Sequence, residues 1–129
     1  MAAAKRELYK LEISIHASPS LLFNYIATPQ GLSEWFADDV NPVKPDKYEF
    51  SWDGTKQTAK VIKTVPNRLI RYQWEDGSPE EYFEIEIMKD EITNDVALII
   101  TDFTDSSDKD ENIMLWESQV HQLKENIGA

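Results

Sequence analysis

The chain has 129 residues, 41% of them hydrophobic and 11% aromatic, and its 24 acidic against 13 basic side chains leave a formal charge of −11. That length supports one domain over residues 1–129 and not two that each bury a core, and the four tryptophans supply more burial than a disordered segment carries. The charge argues against a nucleic-acid backbone or an anionic lipid surface as partner, because the densest basic stretch is Lys5-Arg6 at the terminus and no basic patch opposes the repulsion.

Leu8 to Ile15 places Tyr9, Leu11, Ile13 and Ile15 on one side and Lys10, Glu12 and Ser14 on the other, the period of a half-buried strand. Ser18-Pro19 supplies a cap and a first-turn proline for a helix carrying Leu22, Phe23, Tyr25 and Ile26. Thr28-Pro29 repeats the signal, with Leu32, Trp35 and Phe36 at helical spacing. After Asp38-Asp39 and the prolines at 42 and 45, extended segments alternate with turns: Tyr48, Phe50 and Trp52, then Asp53-Gly54, a hairpin signal, into Thr58 to Val65. Pro66-Asn67 leads to Leu69 to Glu75, Asp76-Gly77-Ser78-Pro79 to Tyr82 to Met88, and Thr93-Asn94-Asp95 to Val96 to Phe103. The last of these is apolar on both faces, which predicts an interior strand.

From Asp108 to Ile127 the period changes, and Ile113, Trp116, Val120, Leu123 and Ile127 form one stripe of a helix about 30 Å long. Ser107 and Asp110 fit a capping box, and Gly128 fits a C-terminal stop. The order of strand, two short helices, five or six antiparallel strands and a long helix predicts an α+β architecture, a curved sheet of six or seven strands around the C-terminal helix. Such a sheet leaves a cavity between itself, the long helix and the short pair, with Leu32, Trp35 and Phe36 closing its mouth.

The absence of cysteine removes disulfides, thiolate nucleophiles, thiolate zinc sites and iron-sulfur clusters and fits a reducing compartment. No apolar run approaches the roughly 18 to 20 residues that cross a bilayer, and Met1 to Arg6 lacks the apolar stretch of a signal peptide. A cytoplasmic protein without membrane insertion is expected. The glycines at 31, 54, 77 and 128 stand too far apart for a phosphate-cradling loop, and no cofactor is expected. His16 and His121 have no partner at metal-ligand spacing. Asp108, Asp110 and Asn112 open like a calcium loop, but Ile113 and Gln119 stand where that loop needs glycine and glutamate, so they read as carboxylates at a helix N-terminus and no metal is assigned.

Asp38-Asp39 is the acid-base candidate, although a solvated turn is the better explanation of it. Asp102 is a second carboxylate able to point inward, with Arg71 or Lys63 as partner in a structural ion pair. No catalytic residue is assigned. The aromatic set Tyr25, Trp35, Phe36, Phe50, Trp52, Tyr72, Trp74, Phe83 and Trp116 reads as core or cavity lining, with core the better reading of any single ring. The candidate ligand site is Tyr25, Trp35, Phe36, Phe50, Tyr72, Trp74, Phe83 and Trp116, with Val120 beside them, since pockets for small apolar molecules are lined by such rings with a few polar groups.

Ser18-Pro19, Leu22-Phe23, Tyr25-Ile26, Thr28-Pro29, Gly31-Leu32 and Trp35-Phe36-Ala37-Asp38, with the closing Trp116, Leu123 and Gly128, resemble the START-like, Bet v 1-like (SRPBCC) superfamily and its helix-grip fold. Within it they resemble the branch that includes domains related to the C-terminal domain of the Hsp90 ATPase activator Aha1. The resemblance covers essentially the whole chain and implies a module that takes up a small hydrophobic or amphipathic ligand, lipid-like or polycyclic, in an internal cavity. It also implies two alternatives: a protein-interaction or chaperone-regulator module, and a cyclase- or hydrolase-type enzyme using Asp38 or Asp39. Homodimerisation through the two-sided apolar strand or a sheet edge, or a protein partner for the acidic surface, is compatible with the same residues.

Overall fold

The computed structural model of the protein describes residues 6–129; Lys5 of the basic pair and the stretch before it lie outside the described residues. An antiparallel sheet of seven strands has the spatial order β1-β7-β6-β5-β4-β3-β2. The strands are β1 (Arg6–Ser14), β2 (Asp39–Lys44), β3 (Lys47–Trp52), β4 (Thr55–Val65), β5 (Leu69–Trp74), β6 (Phe83–Lys89) and β7 (Val96–Asp105). Helices α1 (Pro19–Ala27) and α2 (Pro29–Leu32) separate β1 from β2, and α3 (Lys109–Ile127) follows a 3-10 turn at Ser106–Asp108. This is the α+β helix-grip arrangement read from the sequence: a curved meander with β1 added beside β7 and a long terminal helix over the inner face. Among the described residues no helix is long and apolar enough to cross a membrane.

Local chemistry explains most boundaries. Asp53 and Gly54 both take positive φ, 45° and 83°, the pair of left-handed residues that a two-residue hairpin between twisted strands requires. The inner face runs through Ile70 and Tyr72 of β5, Phe83, Ile85 and Ile87 of β6, and Leu98 and Ile100 of β7, all buried. On α3 the predicted stripe holds: Trp116, Val120 and Leu123 are buried, and Ile113 and Ile127 pack against the same core. Gly128 ends the helix at φ 73°.

Three expectations are corrected. β2 is a strand where the sequence reads as a proline-punctuated connection; only Val40 of it is buried, so no alternation marks it, and Pro42 is tolerated because β2 is an edge strand. The helix N-terminus carries no side-chain cap; Asn112 instead ties the first turn of α3 to β7, donating to Thr104 Oγ1 at 2.8 Å and to the Asp108 carbonyl at 3.0 Å. The two-sided apolar strand is β7, which pairs with β1 on one side and β6 on the other, so its backbone ladder is closed to a second copy.

The short helices are held by their polar ends. Ser18 accepts from the Leu21 N–H at 3.3 Å, and Thr28 accepts from the Gly31 N–H at 3.0 Å. The last four carbonyls of α1, which have no partner within the helix, are each taken by a side chain. Thr28 Oγ1 donates to Asn24 at 2.6 Å, Trp35 Nε1 to Tyr25 at 2.8 Å, Tyr72 OH to Ile26 at 2.7 Å and Tyr48 OH to Ala27 at 3.3 Å. Burial raises the pKa of both the Tyr48 and Tyr72 hydroxyls, so they remain protonated donors.

Gly31 sits against α1 so closely that a Cβ there would lie 2.1 Å from the Asn24 carbonyl oxygen and 2.6 Å from Tyr25 Cα. Gly31→Ala, which gains about 1 kcal/mol of helix propensity at an open site, is expected instead to lower stability by about 1–3 kcal/mol through backbone clash. Tyr72→Phe leaves the buried Ile26 carbonyl without its donor and is expected to cost about 1–3 kcal/mol. Urea denaturation of the two variants checks both; a neutral or stabilising Gly31→Ala contradicts the close approach.

Candidate functional site

Phe36 follows α2 in a run of hydrogen-bonded turns, its N–H donating to the Leu32 carbonyl at 2.9 Å. Its ring stacks on Trp116 and Phe83 at 5.4 and 5.5 Å between centroids and meets Phe50 and Trp52 edge-on at 5.5 and 5.6 Å. Its carbonyl accepts from Trp52 Nε1 at 2.8 Å and from Gln119 Nε2 at 2.9 Å. Phe36 thus joins β3, β6 and α3 at one point. The lid expected from Leu32, Trp35 and Phe36 is therefore corrected: Leu32 is fully buried, Trp35 and Phe36 are 6% and 5% exposed, and Phe36 fills the space it was expected to cover. What remains open is a cleft at the N-terminal half of α3.

The cleft has two adjoining hollows. The apolar one, about 320 Å³, is walled by Phe36, Trp52, Trp74, Phe83, Leu115 and Trp116, with Gln57, Asp102, Asn112 and Gln119 at its polar points. The polar one, about 410 Å³, extends toward Arg6, the turn around Asp76 to Ser78, Glu81 and Asp108. Gln57, Trp74, Asp102 and Asn112 belong to both. A separate open groove of about 630 Å³ lies between the short helices and β2, lined by Leu21, Asn24, Tyr25, Thr28, Glu34 and Pro42 among others.

The nine residues read from the sequence are thereby distributed. Phe36, Trp74, Phe83 and Trp116 come together on the cleft wall. Tyr25 lines the groove between the helices. Trp35, Phe50, Tyr72 and Val120 are buried in the core behind the wall and line neither space. Trp52, read from the sequence as core or cavity lining but not among those nine, joins the wall, and Gln57, Leu115, Asn112 and Gln119 add to it without a sequence signal for the site. Asn112 and Gln119 stand four residues before and three after Trp116, a spacing that puts them on the flank of the helical stripe.

Asp102 occupies the junction. It follows Leu98 and Ile100 at steps of two on β7, so alternation turns it inward, opposite Tyr9 in the β1 register. Its Oδ2 accepts from Trp116 Nε1 at 3.0 Å and from Tyr9 OH at 3.5 Å, and its Oδ1 accepts from the Phe103 N–H at 2.8 Å. Burial raises its pKa above the ordinary aspartate value, against the opposing pull of those hydrogen bonds and of the Arg6 charge. Burial and the Asp102 charge together push the Tyr9 hydroxyl well up, which keeps it a donor.

The ion pair expected for Asp102 is not formed. Arg71 faces the outer side of the sheet, where Nη2 lies 2.7 Å from Glu84 Oε1 and the guanidinium sits 4.1 Å over the Tyr82 ring. Lys63 is exposed and stands next to Arg71 in the register of β4 with β5. The acid-base candidates also have structural duties: Asp38 and Asp39 are exposed, Asp38 Oδ2 accepting the Asp53 N–H at 2.8 Å and Asp39 Oδ2 the Asn41 amide at 2.9 Å. His121 is solvent-facing, 3.0 Å from Glu125.

A helix-grip domain with an aromatic cleft beneath its terminal helix is the class these features define. The START-like superfamily domain matches residues 2–129, and the chain belongs to that family. A search among curated proteins finds no match. Solved structures similar to it include a protein of Bacteroides fragilis determined by solution NMR, 33% identical over 95% of this chain and 92% of that one with a TM-score of 0.68. The Aha1 dimer from Colwellia psychrerythraea is 21% identical over 92% and 93%, with a TM-score of 0.75. CalU16 from Micromonospora echinospora is 16% identical over 95% and 84%, with a TM-score of 0.67.

The raised Asp102 pKa fixes the sign of a pH effect. A carboxyl that holds its proton more tightly in the folded state stabilises the fold below the unfolded value and loses that advantage as pH rises through the folded one. Asp102→Asn, which keeps an acceptor for Trp116, is expected to gain thermal stability relative to the parent as pH rises from about 3.5, near the unfolded aspartate value, to neutrality. Paired melting curves across that range check it; a constant difference contradicts a perturbed Asp102.

Proposed function

We propose that this domain binds a small hydrophobic or amphipathic molecule in the cleft between the N-terminal half of α3 and the sheet. One observation carries the reading: Phe36, Trp52, Trp74, Phe83 and Trp116 wall an open space of about 320 Å³ that adjoins a polar one of about 410 Å³. Together these fall within the size range and the mixed lining of small-molecule sites. Desolvation of the ring faces supplies the affinity, and Gln57, Asn112 and Gln119 supply orientation. No reaction is part of the proposal, since the carboxylates first considered for catalysis face solvent.

The four tryptophan indole N–H signals provide a built-in control. In a nitrogen-15 correlation spectrum titrated with neutral 2-naphthalenemethanol, the signals of Trp74 and Trp116 are expected to shift saturably, while that of Trp35, packed against the Tyr25 carbonyl, stays in place. Saturable shifts confined to Leu21, Asn24 and Tyr25 would move the site to the groove between the helices, and no saturable shift anywhere would refute the proposal.

A further inference from the structure

Resting on that reading, we infer that the ligand is an amphipathic cation, its ammonium group held at Asp102 and its apolar body against Trp116, Trp74 and Phe36. Asp102 is half-buried at the junction of the two hollows, and a carboxylate partly withdrawn from water is ordinarily paired with a cation. Here its donors are an indole N–H, a phenol and a backbone N–H, all of them neutral. Among the described residues no lysine or arginine nitrogen forms an ion pair with it. Arg6, the basic residue lining the polar hollow, is held by Glu81 and by Asp105.

A carboxylate has about four acceptor positions, and three are used, so one remains for a donor entering from the cleft. The other charged groups around the polar hollow are Asp76, Glu81 and Asp108, which set a negative potential where a ligand's polar end would rest. The ring faces of Trp74 and Trp116 on the same wall add cation–π attraction. A fatty-acid-like or phosphorylated head group would meet repulsion at Asp102, Asp76 and Asp108, with Arg6 already engaged by Glu81 and Asp105. The geometry therefore selects for charge as well as for shape.

Three probes sharing one ring system separate the parts of this argument: 2-naphthylmethylammonium, 2-naphthalenemethanol and 2-naphthoate, titrated calorimetrically at neutral pH and moderate salt. The ammonium is expected to bind about tenfold or more tighter than the alcohol, the size of one well-placed charged contact, and the carboxylate more weakly than either. In Asp102→Asn the ammonium is expected to bind no tighter than the alcohol. Should that variant fail to fold, Asp76→Asn combined with Asp108→Asn, both exposed, is expected to narrow the ratio of ammonium to alcohol affinity about two- to threefold. Binding of the alcohol with no preference for the ammonium, or a preference that survives these changes, overturns the inference alone; absence of binding by all three overturns the underlying site as well.

Discussion

The structure depends on how the unpaired carbonyls at the end of α1 are satisfied. An α-helix leaves its last four acceptors without internal partners, and here they face the protein, where an unmet carbonyl is costly. Thr28, Trp35, Tyr72 and Tyr48 supply the four donors, so the polar tips of core aromatics position the short helices over the sheet. The chain emerging from α2 is thereby aimed so that Phe36 enters between β3, β6 and α3. Its carbonyl then repeats the device by accepting from both Trp52 and Gln119. Tyrosine and tryptophan suit this role because each buries a large apolar body and keeps one polar atom for a specific partner.

That same insertion determines where empty space can exist. A bent sheet and a helix enclose more volume than the helix side chains fill, and Phe36 occupies the middle of it. The remaining gap falls toward the start of α3, where Asn112 anchors the helix to β7 and where the β5–β6 turn lines the polar hollow. The cleft is thus a by-product of core packing, with rings that serve the core on one face and the cleft on the other.

Much of the fold was legible in the sequence because the signals were local. Alternation marked the inner-face strands, Asp53-Gly54 marked a hairpin, and steps of three and four marked the terminal helix. β2 was hidden because an edge strand with one buried residue has no period to detect. The site was legible only in kind. Which rings form wall and which form core depends on register across strands distant in sequence, and Phe50 and Phe83 differ in nothing a sequence displays. Alternation did turn Asp102 inward, but its partners Tyr9 and Trp116 come from other elements, and Arg71 was taken by Glu84 because those two stand directly opposite on the outer face.

The free edge at β2 has its own consequence. Pro42 offers no backbone donor, and the ladder with β3 slips between Pro42 and Lys44, so an incoming extended segment would find neither a continuous row of donors nor an even spacing. The β2 side is thereby a poor template for an added strand, and what makes it poor is covalent structure, independent of any charge that salt could screen.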